Sequence, residues 1–129
     1  MKFMLDTNAV IAVQRGVDRQ FLKRLRKHRL ADVVISSVTL HELYYGAYKS
    51  KYVEANLANI AALRFQILPF DEDAARHTGE IRASLYRQPI GPYDCMIAGH
   101  AHSLRLVLVT HNTAEFMRVV DLKVQDWQG

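Results

Sequence analysis

The sequence predicts an α/β fold built on a central, mainly parallel sheet of about five strands flanked by helices. Three observations predict it. Short apolar or β-branched segments recur along the 129 residues, helical periodicity fills the stretches between them, and capping residues fall where one pattern gives way to the other. Such alternation favours parallel strands, because a parallel pair needs a long crossover, usually a helix, to bring the chain back to its starting end.

Lys2 to Leu5 is short and apolar and reads as the first strand. Asn8 to Gln14 and Asp18 to His28 read as helices, and in the second of these Phe21, Leu22 and Leu25 form one buried stripe beneath a cationic outer face. The β-branched run Val33 to Ser36 supplies the second strand, after which Ser36 or Ser37 can cap a helix from Val38 to Tyr48. Lys51 to Arg64 keeps Val53, Leu57, Ile60 and Ala61 in helical register, and Gln66 to Leu68 is a brief third strand. Asp71 can cap the next helix, Glu72 to Arg87, which aligns Ala75, Thr78, Ile81 and Leu85. Gly91 followed by Pro92 at a first helical position opens the helix that runs to Ser103. Leu106 to Val109 is a wholly apolar strand, and the alternating segment Leu122 to Asp126 is the fifth.

No Pro/Gly/Ser-rich stretch divides the chain, so residues 1–129 are expected to form a single domain. Asp6 interrupts the N-terminal apolar run, leaving neither a signal peptide nor a membrane span to be drawn, and a cytoplasmic location is expected. A single cysteine, Cys95, excludes an internal disulfide, and its apolar neighbours suit a core filler. Closely spaced zinc ligands are missing as well. The net charge of +4 is modest. Its placement is not, since Arg15, Arg19, Lys23, Arg24, Arg26, Lys27 and Arg29 cluster against one acid, Asp18. This segment reads either as a solvated helix or as a docking face for a polyanion. A non-catalytic DNA-binding or regulatory module would use the same face.

In a parallel sheet the functional groups gather beyond the carboxyl ends of the strands. Most of the thirteen acids have plain accounts as helix caps, turn residues or solvated charges; Asp126 is placed among the last. Asp6, Glu42, Asp94 and Glu115 stand out because their neighbours are mostly apolar. Glu42 lies about one turn from Gly46, where a missing side chain leaves room for a backbone or a ligand. Asp94 falls in a helical first turn, which favours an anion. Each acid alone could be a cap or a surface residue. Four converging carboxylates, however, need a counter-ion, since a pair about 4 Å apart repels by roughly 4 kcal/mol at an effective dielectric near 20. A hard divalent cation answers that need, and its chemistry is phosphodiester hydrolysis. Thr7, Asn8 and Asn112 are candidates to orient carboxylates or water, and Arg15, Arg19, Lys23 and Arg26 to hold a nucleic-acid backbone.

Other constellations lack their defining residues: there is no G-x-S-x-G, no Walker loop and no G-x-G-x-x-G. The histidines read as structural or surface residues, and Tyr44, Tyr45 and Tyr48, at helical spacing, as core or interface residues more than as base-stacking platforms.

Four segments resemble, in order, the motifs of PIN-domain ribonucleases, specifically the VapC toxins of bacterial toxin-antitoxin pairs. They are Met4-Leu5-Asp6-Thr7-Asn8, Ser36 to Gly46 around Glu42, Ile90 to Ala98 around Asp94, and Val109 to Phe116 around Asn112 and Glu115. The resemblance implies a PIN-like three-layer fold and a Mg²⁺-dependent (or Mn²⁺-dependent) endoribonuclease, with Asp6, Glu42 and Asp94 as the acidic triad and Glu115 as the fourth acid. Asp6 and Asp94 are the expected metal ligands. It also implies a VapB-type antitoxin that inhibits the site, contact with operator DNA through the antitoxin complex, and homodimers within larger hetero-oligomers. Similarity to the enteric and plasmid branch points to a tRNA anticodon loop, initiator tRNA in particular. Two features depart from the family pattern: the last motif offers the neutral Asn112 where an Asp is common, and Leu85 to Gly91 is short by a glycine.

Overall fold

The computed structural model describes residues 1–128 and places five strands in one sheet: β1 (Phe3–Leu5), β2 (Val33–Ser36), β3 (Gln66–Leu68), β4 (Val107–Val109) and β5 (Val124–Gln125). The spatial order is β3-β2-β1-β4-β5 and every pairing is parallel. Register is set at the centre, where Phe3, Met4 and Leu5 lie opposite Val33, Val34 and Ile35 on one side and Val107, Leu108 and Val109 on the other. All carboxyl ends therefore emerge along one edge, and β1, as the middle strand, delivers its last residue to the centre of that edge.

Strand alternation divides the core into two layers. Phe3, Leu5, Val33, Ile35 and Val109 face one side, where they meet α1 (Thr7–Arg15), α2 (Arg19–Arg26), α4 (Val53–Ala61) and Trp127. Met4, Val34 and Leu108 face the other, against α5 (Glu72–Ser84), α6 (Pro92–Ser103) and α7 (Thr113–Phe116). The helix α3 (Ser37–Lys49) serves both, giving Val38 to one layer and Leu43 and Ala47 to the other. Among the described residues no helix is long and apolar enough to cross a membrane.

Caps fall where side-chain chemistry requires. Asp18 accepts from the Phe21 amide at the start of α2, Asp71 from Ala74 at α5, and Ser36 from Val38 at α3. The Ser36 hydroxyl also lies 2.8 Å from Nδ1 of His100, a buried side chain of α6 whose pKa is lowered by burial, with Asp71 opposing. One hydroxyl thus caps α3 and satisfies a buried imidazole. Ser36→Ala is expected to cost about 2–3 kcal/mol, combining a lost cap with an unsatisfied buried polar group. Urea titration checks this, and a Ser36→Ala chain as stable as the parent would show the link to be energetically idle.

Several boundaries differ from the sequence-based expectation. The helix expected to reach Arg87 ends at Ser84, whose hydroxyl bonds back to the Ile81 carbonyl, and Pro89 disfavours helical backbone before it. The helix expected from Lys51 to Arg64 shortens to α4, as Asn56 ties to Ser50 across the preceding turn. A 3-10 turn, Leu30–Asp32, and the four-residue α7 are too short to show periodicity. Tyr45 and Tyr48 are 63% and 64% exposed and Tyr44 is exposed too, which corrects the core reading of these rings. The inward face of α3 is lined by Val38, Thr39, Leu43 and Ala47, and the tyrosines lie off it. Cys95 is buried in the core as expected.

Candidate active site

The last residue before α1 is Asp6, held at the carboxyl end of β1 by its amide, which donates to the Val109 carbonyl at 3.0 Å. It is 3% exposed, and its carboxylate accepts from the Ala9 amide at 2.8 Å, so one residue serves both as helix cap and as a member of the site. Burial raises the Asp6 pKa. Hydrogen bonds from the Thr110 side chain and the Ala9 backbone oppose that rise, while the charges of Glu42 and Asp126 add to it.

Across the edge, Glu42 projects from the middle of α3. The Thr7 hydroxyl donates to Glu42 Oε1 at 2.5 Å and stands 3.4 Å from the Thr39 hydroxyl. Asp94 occupies the first turn of α6, following Pro92 at the helix start. Burial pushes its pKa up to about 6, and the charges of Asp6, Glu42 and Glu115 push in the same direction. All three other predicted acids are thus felt at Asp94, from positions scattered over most of the sequence.

Glu115, on α7, is held by Arg118 through a 3.3 Å ion pair, and the same guanidinium donates to the Gln88 carbonyl. Arg118 thereby ties the short loop before α6 to the fourth acid. Asn112 stands at the cap position of α7, where its backbone amide donates to the Thr110 hydroxyl at 2.9 Å, and Asn8 is exposed in the first turn of α1. Gly46 has open space where a Cβ would stand, so no backbone approaches it. It instead lines a cavity of about 180 Å³ with Thr7, Glu42, Asn56 and Asn59.

Asp126 joins the centre without having been singled out by the sequence. It comes directly after β5, accepts from His111 Nδ1 at 2.9 Å and reaches Asp6 electrostatically. The rule that selects Asp6, inspection of the residue after each strand, applies equally to Asp126. Of the predicted backbone-binding cations, Arg15 is exposed at the end of α1, and Arg19, Lys23 and Arg26 are exposed along α2.

The donor set fits a hard divalent cation: it consists of carboxylate oxygens whose burial raises the pKa of Asp6 and Asp94, with their mutual repulsion adding to the rise. Among the described residues no three His, Cys, Asp or Glu side chains already stand at ion-holding geometry.

Known proteins share this fold. The model of the PIN domain family matches residues 3–122. The tRNA(fMet)-specific endonuclease VapC of Shigella flexneri is 49% identical, with 98% of each chain covered. In the crystal structure of DNA-bound VapBC from Salmonella typhimurium, one chain superposes with a TM-score of 0.92 at 46% identity, covering 98% of both chains. VapBC-1 of nontypeable Haemophilus influenzae gives 0.88 at 37% identity and the same coverage. With the family model spanning nearly all of the strands and helices described above, the chain belongs to the PIN domain family.

Proposed function

We propose that the chain is a divalent-metal-dependent endoribonuclease toxin of the VapC type, that its target is initiator tRNA cut in the anticodon loop, and that a VapB-type antitoxin restrains it. The observation that carries the chemistry is the convergence of the charges of Asp6, Glu42 and Glu115 on the partly buried Asp94, where they add to the rise that burial imposes on its pKa. Four carboxylates from separate elements share one field. The target and the partner rest on the relatives, a tRNA(fMet)-specific endonuclease and VapBC complexes.

Asp6 and Asp94 would hold Mg²⁺ or Mn²⁺, which when bound lowers the pKa of water and neutralises charge on the phosphate. The residues of the chain prepare that centre. The Ala9 amide and the Thr110 side chain fix Asp6, and Thr7 fixes one oxygen of Glu42. Arg118 anchors Glu115 and the loop that leads into α6. Each contact removes rotamer freedom from a carboxylate, and outer contacts of this kind typically govern activity by about 10–100-fold.

Cleavage is expected to stop on exhaustive chelation and to return on addition of Mg²⁺ or Mn²⁺, leaving 5′-phosphate and 3′-hydroxyl ends. Attack by the ribose 2′-hydroxyl would instead leave cyclic phosphate without a metal. End-group analysis distinguishes the two, and cyclic ends formed in the presence of chelator would transfer the chemistry to the histidines. Sequencing of RNA 5′ ends after brief induction tests the target: initiator tRNA left intact beside cuts in other RNAs would remove that assignment while sparing the nuclease. An antitoxin complex fully active on RNA would exclude inhibition at the acids.

A further inference from the structure

A cationic notch lies where α2 meets the β5 edge of the sheet. Arg24, Lys27 and His28, spaced to share one side of the end of α2, line a cavity of about 260 Å³ together with Gln125, Asp126 and Trp127. The notch is well anchored. Arg24 donates through Nη1 to the Asp126 carbonyl, which engages one of the five donors a guanidinium carries. His28 stacks on Trp127 at 5.0 Å and 14° and packs on Phe3 at 4.4 Å. Placing cations at the last turn of α2 also accords with the helix dipole.

Its position gives the notch meaning. Asp126 forms part of its wall, and the charge of Asp126 also reaches Asp6, so the cationic cavity and the acidic centre adjoin across one residue. His111 Nδ1 pairs with the Asp126 carboxylate at 2.9 Å. Stacking of a base on Trp127 is ruled out, because the indole is 3% exposed and His28 covers its face. What the notch can recognise is a phosphate.

We propose that Arg24, Lys27 and His28 form a subsite for an RNA phosphate flanking the cut, distinct from the exposed stripe Arg19, Lys23 and Arg26. The assignment rests on the nuclease reading and refines where the substrate backbone runs. A direct phosphate contact from the notch gives position and affinity without sequence information.

The test uses the full chain carrying Asp94→Asn, so that binding is measured without cleavage, and a fluorescently labelled RNA stem-loop with a single-stranded loop. Lys27→Gln in that background is expected to weaken binding about 3–10-fold at physiological salt and to make the plot of log K against log salt shallower by about 0.7. Arg76→Gln removes the same charge from α5, across the sheet, and is expected to leave both unchanged. Lys27 is exposed, so the melting temperature serves as a control for folding. Binding by Lys27→Gln with the parent's affinity and slope would overturn the subsite, as would an equal loss from Arg76→Gln, which would reduce the effect to net charge. Neither result touches the nuclease reading, which stands or falls with metal-dependent cleavage by the unmodified chain.

Discussion

Asp94→Asn is expected to lose RNA cleavage by more than about 100-fold, beyond what outer contacts of a metal ligand control, and yet to melt a few degrees higher than the parent at pH 7. The first effect comes from removing an expected metal ligand. The second comes from linkage. In the folded chain Asp94 titrates at about 6 instead of its ordinary 3.8. An acid raised in this way binds its proton more tightly when folded, so stability falls as pH rises from about 4 to 6 and stays reduced above that. Asn carries no charge and escapes the penalty. Because Asp94 is partly exposed, solvent screening reduces the gain to about 1–2 kcal/mol. The two chains should therefore diverge at pH 7.5 and converge below pH 4. Millimolar Mg²⁺ or Mn²⁺ should stabilise the parent and spare the variant, closing the gap from the other side. A variant that cleaves like the parent would end the assignment of Asp94, and one that melts lower at pH 7.5 would show that burial and repulsion do not penalise its charge.

The largest effect on folding is expected at Gly99→Ala, where α6 crosses α5. In an exposed helix this change would gain about 1 kcal/mol of propensity. Here a Cβ on Gly99 would stand 2.0 Å from Thr78 Oγ1 and 2.7 Å from both the backbone nitrogen and Cα of Thr78. Rotating the threonine side chain relieves the first contact alone. The backbone contacts can be relieved only by separating α5 from α6, which also draws Ile81, Cys95 and Ala98 out of their shared core. Overpacking commonly costs about 1–3 kcal/mol, and a forced helix separation belongs at or above the top of that range. Against a total stability of roughly 5–15 kcal/mol, the urea midpoint should fall sharply. Thr78→Ser should not rescue it, since the backbone atoms remain. A Gly99→Ala chain of native stability would mean that the two helices shift apart freely.

Much of this architecture is legible in the sequence because its signals are local. Strands of three or four apolar residues, capped helices and Pro92 after Gly91 locate most elements within a few residues. The acidic centre is legible for a different reason: in a parallel sheet, coming after a strand in sequence means standing at one edge in space. That logic applies to Asp126 as much as to Asp6, but an alternating segment ending in an acid also describes a solvated edge, and nothing local reports the electrostatic reach to Asp6. The tyrosines of α3 show the opposite failure. Spacing of i and i+4 puts Tyr44 and Tyr48 on one face without saying which face is inside, and the small residues Thr39 and Ala47 mark that face instead. Gly99 gives no sign of its role, because a close helix crossing is a property of two segments and appears in neither alone.

The order of the strands bears on how such an enzyme is made. β1 leaves the ribosome first but lies in the middle of the sheet, and one flank remains empty until β4 and β5, near the end of the chain, arrive to pair with it. Domains generally fold as units, and pairings this distant in sequence are slow to form. The residue set at the centre of the site, Asp6, is thus held in place by a carbonyl, that of Val109, translated long after it. A half-made chain has the acid without its support and lacks Glu115 altogether. The acidic centre is in this way assembled only after both flanks of β1 have been paired.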